Sequence, residues 1–163
     1  MTELLNDIID RDEDDMEGRY LAFQLDNETF GIEIRNVTEI VGIQPITEMP
    51  EMPDYVKGII NLRGSIIPVI DVRLRFKKPP KDYNDRTCVI VTHCGGVLTG
   101  LIVDGVSEVL SIPFEHITEK PEISTKGCRG YIKNIGRMCN EQIVLLIDCE
   151  KLLNEEEIEI ISA

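Results

Sequence analysis

Gly31-Ile32-Glu33-Ile34-Arg35-Asn36-Val37-Thr38-Glu39-Ile40-Val41 is answered by Gly100-Leu101-Ile102-Val103-Asp104-Gly105-Val106-Ser107-Glu108-Val109-Leu110 at a constant offset of 69 residues. Gly31/Gly100, Val37/Val106 and Glu39/Glu108 are identical, and Ile40 faces Val109. Farther along, Tyr55-Val56-Lys57 answers Tyr131-Ile132-Lys133, and Ile66 to Asp71 answers Ile143 to Asp148, the offset drifting to 76 and then 77. Several matches in one order mark an internal duplication of two similar units of about 65 residues each. The predicted layout is an acidic tail over 1–17, a first unit over 18–85, a second over 86–153 and an acidic segment over 154–163.

Each unit reads as strand. The chain has 24 Ile and 12 Val against four Phe, four Tyr and no Trp, a β-branched composition that favours sheets. Tyr20–Leu25 and Phe30–Ile34 flank the turn-rich Asp26-Asn27-Glu28-Thr29, and Val89–Val91 and Leu98–Val103 flank Cys94-Gly95-Gly96, so one hairpin is predicted near the start of each unit. Asp71 and Asp148 each precede apolar residues at helical spacing, which predicts a capped helical piece near 71–76 and a C-terminal helix within 148–160. About five short strands per unit are too many to lie flat with two exposed edges, so the expected fold is all-β, with two small, closed or nearly closed five-stranded barrels. Lys77-Lys78-Pro79-Pro80-Lys81-Asp82-Tyr83-Asn84-Asp85 links them.

Charge excludes several functions. The net charge is −13, and residues 1–17 and 150–163 carry most of it, leaving a nearly neutral body without a basic face for phosphates or anionic lipid. No nucleic-acid binding and no direct membrane insertion are expected. The start Met1-Thr2-Glu3-Leu4-Leu5 is not a signal peptide and no apolar run is long enough to span a bilayer, so the expected location is the cytoplasm. Five cysteines without C-x-x-C spacing predict reduced thiols rather than a disulfide framework or a metal site. Neither His93 nor His116 lies in a metal motif, Gly95-Gly96 lacks the Lys-Ser/Thr of a phosphate loop, and His93 and Cys94 as strand neighbours point to opposite faces. No catalytic residue, metal or cofactor is expected, and binding must carry the function.

The most informative polar interruption is Asn61-Leu62-Arg63-Gly64, inside Gly58-Ile59-Ile60 and Ser65-Ile66-Ile67-Pro68-Val69-Ile70-Asp71. Two readings stay open. In one, Asn61 and Gly64 supply left-handed turn conformations and Arg63 is merely solvated. In the other, Asn61 and Arg63 project from a rigid turn toward a partner. A charge set among so many Ile and Val calls for a counter-ion, and Glu39, the one acid in Val37–Val41, is the candidate for a partly buried pair.

The run Tyr55-Val56-Lys57-Gly58, then Asn61-Leu62-Arg63-Gly64, then Pro68 and Asp71, resembles the signature of the chemotaxis coupling protein family CheW. Gly100–Val106 and Asp148-Cys149-Glu150-Lys151-Leu152-Leu153-Asn154 are similar to it as well, so the resemblance covers roughly 20–154; Asp71-Val72 stands where the family has Asp-Leu. It implies two five-stranded SH3-like barrels and a non-enzymatic adaptor joining transmembrane chemoreceptors to the histidine kinase CheA. It also implies that a receptor's cytoplasmic helical tip lies in a groove at Val37, Glu39, Gly58 and Arg63, with Gly100 and Val109. The valines read equally well as core positions. No residues are assigned to the kinase's regulatory domain. Competing readings are a domain like that regulatory domain itself, or an SH3-like reader of Pro-rich peptides, which needs an aromatic groove this sequence does not cluster.

Overall fold

Hairpins carry most of the backbone in this computed structural model, which describes residues 18–94, 96–119 and 129–152. They are β1 (Arg19–Leu25) with β2 (Glu28–Glu33), β4 (Val56–Leu62) with β5 (Ser65–Asp71), β6 (Cys88–Cys94) with β7 (Val97–Val103), and β10 (Ile132–Arg137) with β11 (Ile143–Ile147). Between them lie β3 (Val37–Gly42), β8 (Gly105–Ser111) and the short β9 (Ile117–Glu119). The chain is mainly β, as its Ile and Val content predicts. The helical piece expected after Asp71 is α1 (Val72–Arg75), where Asp71 Oδ1 accepts from Leu74 N at 3.3 Å. Its counterpart is a 3₁₀ turn over Cys149–Leu152, where Asp148 Oδ1 accepts from Glu150 N at 3.1 Å. The expectations for 1–17, for 154–163 and for a helix reaching 160 fall outside the described residues.

Two β units form, but strand pairing does not divide at 85/86. One sheet runs β8-β1-β2-β11-β10-β9 and the other β3-β6-β7-β5-β4, so each combines strands from both halves. The exchange is reciprocal. β5 of the first half pairs in parallel with β7 of the second through Val69↔Gly100 and Ile70↔Leu101. β11 of the second pairs in parallel with β2 of the first through Leu145↔Phe30 and Leu146↔Gly31. Adding the repeat offset of 77 to Val69 and subtracting the offset of 69 from Gly100 turns Val69↔Gly100 into Leu146↔Gly31, so these two junctions are one contact made twice. β3 likewise pairs with β6, and β8 with β1.

Burial follows from this topology. A central core lies between the sheets, with Phe23, Phe30, Ile32, Ile40, Ile70, Ile90, Leu101 and Ile147 among its members. Each sheet also covers its own smaller cluster: Ile60, Ile67, Val69, Val89, Val91 and Ile102 in one, Tyr20, Ile112, Val144 and Leu146 in the other. Ile90 therefore enters the central core while Val89 and Val91 enter the smaller one, which is why these strands read as unbroken apolar runs. Where the halves join, two glycines keep the packing close. A Cβ on Gly31 would lie 2.9 Å from Leu146 Cδ2, and one on Gly100 would lie 2.7 Å from Val89 Cγ1 and 2.8 Å from Val69 Cγ1.

Polar groups tie the same seam. The Arg73 side chain, 8% exposed, donates to Asp26 Oδ1 at 2.7 Å and to Asp104 Oδ2 at 2.8 Å, joining turns of the two halves. Arg75 lies over the rings of the repeat-related Tyr55 (4.2 Å) and Tyr131 (5.0 Å) and donates from Nε to Leu152 O at 2.7 Å. The two tyrosines are held alike: Tyr55 O accepts from Asp71 N and Tyr131 O from Asp148 N, each at 2.8 Å. One expectation fails here, since Cys149 is disulfide-bonded rather than reduced. Spacing along a chain does not report which sulfurs the fold sets side by side.

Two outcomes follow. Gly31→Ala and Gly100→Ala should each destabilise by about 1–3 kcal/mol in chemical denaturation, because valine and leucine methyls must yield inside packed clusters. Gly42→Ala, with nothing within 4 Å of its added Cβ, should be nearly neutral, and a tolerated Gly31 or Gly100 substitution would contradict the packing account. Arg73→Ala should cost about 3 kcal/mol by leaving the Asp104 carboxylate half-buried without its guanidinium. The Arg73 hydrogen bond holds the Asp26 carboxyl below its ordinary value. Its folded pKa being depressed, its stabilisation is complete above the ordinary value near ~4 and lost as pH falls through the folded one, so Arg73→Ala should flatten the stability–pH slope in that acid window.

Candidate binding site

The β4–β5 turn sets the geometry of the signature motif. Leu62 pairs with Ser65, leaving Arg63 and Gly64 as a two-residue loop with φ of 52° and 89°. Left-handed conformation at both loop positions matches strand twist in such hairpins. Asn61 and Gly64 were expected to adopt it; instead Arg63 and Gly64 do, while Asn61 stays in β4 and its Oδ1 accepts from Gly64 N at 2.9 Å. The asparagine thus braces the loop, and the arginine crowns it.

Arg63 meets Glu39, as the charge argument predicts. On β3, Val37 and Ile40 face the core, and an irregularity in the pairing with β6 between Val37 and Glu39 leaves the Glu39 carboxylate at the surface edge. Glu39 Oε1 accepts from the Arg63 guanidinium, an ion pair linking one edge strand of the sheet to the hairpin at its other edge. The Arg63 side chain is 71% exposed and Glu39 18%, so the pair is an exposed one rather than the partly buried pair expected. Solvent screening limits such a pair to about 0.2–1 kcal/mol, which is too little to make it a structural keystone.

The other residues of the motif serve the fold. Gly58 is buried at φ 146°, and a Cβ there would lie 2.1 Å from Thr47 O, in the loop that closes the β4 edge through paired Thr47–Ile59 hydrogen bonds of 2.9 Å. Pro68 sits just before the parallel ladder with β7, which starts at Val69, so its missing N–H leaves that ladder whole. Leu62 packs on the smaller cluster of its sheet. Asp71 is buried, caps α1 and accepts from Tyr83 Oη at 2.9 Å. Val37 is a core residue on β3, Val109 packs partly against the same core from β8, and Gly100 is buried at the exchanged junction. Of Val37, Glu39, Gly58, Arg63, Gly100 and Val109, only Arg63 is exposed; Glu39 and Val109 are half-buried and the rest buried.

Beside the turn lies an apolar groove lined by Met49, Met52, Val56, Ile59, Ile66 and Pro68, in which Ile66 is 61% exposed. Its repeat counterpart Ile143 is 58% exposed at the start of β11, so each unit shows an apolar side chain at the same hairpin position. Sequence reasoning did not single out either isoleucine, because period-2 alternation cannot say which face of a strand meets solvent. Arg73 and Arg75 were also missed; their placement two and four residues beyond the capping Asp71 was the available signal.

Among the described residues no group of three or more His, Cys, Asp or Glu is arranged to hold a metal ion, and burial pushes the Cys88 thiol up, away from a reactive thiolate. No described helix is long and apolar enough to cross a membrane.

The family model of the CheW-like domain matches residues 19–157. The chain is 40% identical over 142 residues to Chemotaxis protein CheW of Klebsiella aerogenes, covering 87% of this chain and 85% of that protein. It is 37% identical over 139 residues to Probable chemotaxis protein CheW of Rhizobium etli, covering 85% and 89%. In structure it is similar to the scaffolding protein TtCheW from Thermoanaerobacter tengcongensis, with a TM-score of 0.79 and 33% identity over 84% of this chain and 92% of that one. With the family model spanning the body of the chain and two such relatives, the protein belongs to the CheW-like family.

Proposed function

We propose that this protein is a non-catalytic adaptor of chemotaxis signalling that joins the cytoplasmic helical tip of transmembrane chemoreceptors to the regulatory domain of a CheA-type histidine kinase. Family membership over 19–157 supports the role, and the exposed Arg63, braced by Asn61 and paired with Glu39, is the observation that carries it to particular residues. A guanidinium fixed on a rigid two-residue loop is ready to take a carboxylate or carbonyl of an incoming helix without ordering a flexible segment. In this reading Arg63 and Glu39 touch the receptor, Val109 adds apolar surface, and Val37, Gly58 and Gly100 act indirectly by shaping the sheet beneath. The apolar groove at Met49 and Ile66, and the matching Ile143, suit the kinase's regulatory domain, since the duplication gives one small protein two related surfaces. Such an adaptor works in the cytoplasm at the receptor arrays of the inner membrane face.

The Pro-rich peptide reading is weaker. Phe23, Phe30, Phe76, Tyr20 and Tyr55 are buried, and Phe114, 87% exposed, stands without a described exposed aromatic beside it in its pocket. An SH3-type groove needs several such rings on one surface.

Arg63→Glu should weaken binding of a receptor cytoplasmic fragment at least tenfold, roughly 1.4 kcal/mol, in a calorimetric titration, while affinity for the kinase regulatory domain changes little. Its thermal stability should move by less than about 1 kcal/mol, as suits an exposed pair. The double exchange Glu39→Arg with Arg63→Glu separates two causes, because it restores an ion pair inside the adaptor but not the charge a receptor would meet. Receptor affinity should stay low in the double variant; recovery would mean that the pair's geometry matters rather than contact by Arg63. Unaltered affinity in folded Arg63→Glu would move the receptor surface elsewhere.

A further inference from the structure

Arg75 stands where the two repeats meet. With the offset of 77 its counterpart is Leu152, and the two are in contact, Arg75 Nε donating to Leu152 O at 2.7 Å. Tyr55 and Tyr131 are counterparts as well, and the guanidinium carbon lies 4.2 Å and 5.0 Å from their ring centres. A residue that touches its own counterpart and both members of another related pair lies on the approximate twofold axis of the duplication. The second repeat has leucine at this position, so one guanidinium serves both rings.

Each of these tyrosines is the root of a recognition hairpin. Tyr55 leads directly into β4, whose turn to β5 carries Arg63, and Tyr131 leads directly into β10, whose partner β11 opens on the exposed Ile143. Each hairpin also returns to its own tyrosine, because Asp71 N at the end of β5 donates to Tyr55 O and Asp148 N just after β11 donates to Tyr131 O. The Tyr55 ring is buried, and among the described residues its hydroxyl has no hydrogen-bond partner, so the guanidinium over its face is a principal polar restraint on it. Tyr131 is held from the same turn twice, by Arg75 and by its neighbour Phe76, whose ring stacks on it with centres 5.4 Å apart.

We propose that Arg75 is a positioning residue that couples the two hairpins, so that a receptor engaged at Arg63 changes the affinity for the kinase regulatory domain at Ile143. This rests on the surfaces assigned under the proposed function. Arg75 touches neither partner; it acts through the two rings it holds, and a shift of one hairpin root moves the guanidinium that restrains the other. Linkage makes the effect equal in both directions, so the kinase domain changes receptor affinity by the same factor.

The test titrates a receptor cytoplasmic fragment into the whole protein by calorimetry, with and without saturating kinase regulatory domain, in wild type, Arg75→Leu and Arg75→Lys. Leucine is the residue the second repeat places here, so it suits the packing. In wild type the kinase domain should change receptor affinity at least about fivefold. Arg75→Leu should bind each partner alone within about twofold of wild type while the coupling factor falls below about two. Arg75→Lys keeps a cation over the rings and should hold the factor above about two, which a purely steric role for Arg75 does not require. A wild type that binds both partners without coupling, or a folded Arg75→Leu that keeps the coupling, would overturn the proposal. A wild type that binds neither partner refutes the adaptor reading instead, and amide exchange in the free protein then decides on Arg75. Tyr55→Leu should speed exchange of the Asp148 amide, bonded to Tyr131 O, at least about threefold relative to the core amide of Ile90, and should not do so in an Arg75→Leu background. Unchanged Asp148 exchange in Tyr55→Leu would also sink the coupling.

Discussion

Two strand junctions, β5 with β7 and β11 with β2, determine how everything else is arranged. Parallel pairing cannot be made by a tight hairpin, so each junction needs partners far apart in sequence, here supplied by the opposite halves of a duplicated chain. Gly100 and Gly31 stand at the two crossings, where side chains of Val69 and Val89, or of Leu146 and Val144, already crowd the space a Cβ would need. Once both junctions form, the two sheets are fixed around a shared core. The Asp26–Arg73–Asp104 cluster and the Tyr55–Arg75–Tyr131 stack then close the polar seam between halves.

This interlocking accounts for where binding capacity lies. Interior positions are taken by the three apolar clusters, so the side chains free to meet a partner sit at turns and on outward faces: Arg63 on its loop, Ile66 and Ile143 at the starts of β5 and β11. A rigid body with recognition groups on short turns loses little conformational freedom on association. The duplication then gives one chain two related surfaces in a fixed relative orientation, a property suited to holding two larger proteins in register.

The Glu39–Arg63 pair shows how stability and recognition separate. Its exposure makes it nearly worthless to folding, whereas Arg73, a few residues along the same half, is enclosed and ties the halves together. Two arginines of similar sequence context therefore have opposite duties, and solvent access decides which is which.

By itself the sequence determined the strand content, the hairpins, the capped turns after Asp71 and Asp148, the duplication and the pairing of Glu39 with Arg63. Those are consequences of β-branched composition, turn chemistry and charge placement, all of which act over a few residues or leave a repeat to be read. Only the tertiary structure decided that the halves trade strands, that Val37, Gly58 and Gly100 are enclosed while Arg63 is open, and that Arg75 lies between Tyr55 and Tyr131. Cys149 belongs with these, since its disulfide follows from the fold and not from spacing. The physical reason is the same in each case: a strand has two edges and two faces that its own residues describe alike, and only the neighbour that arrives from elsewhere in the chain selects between them.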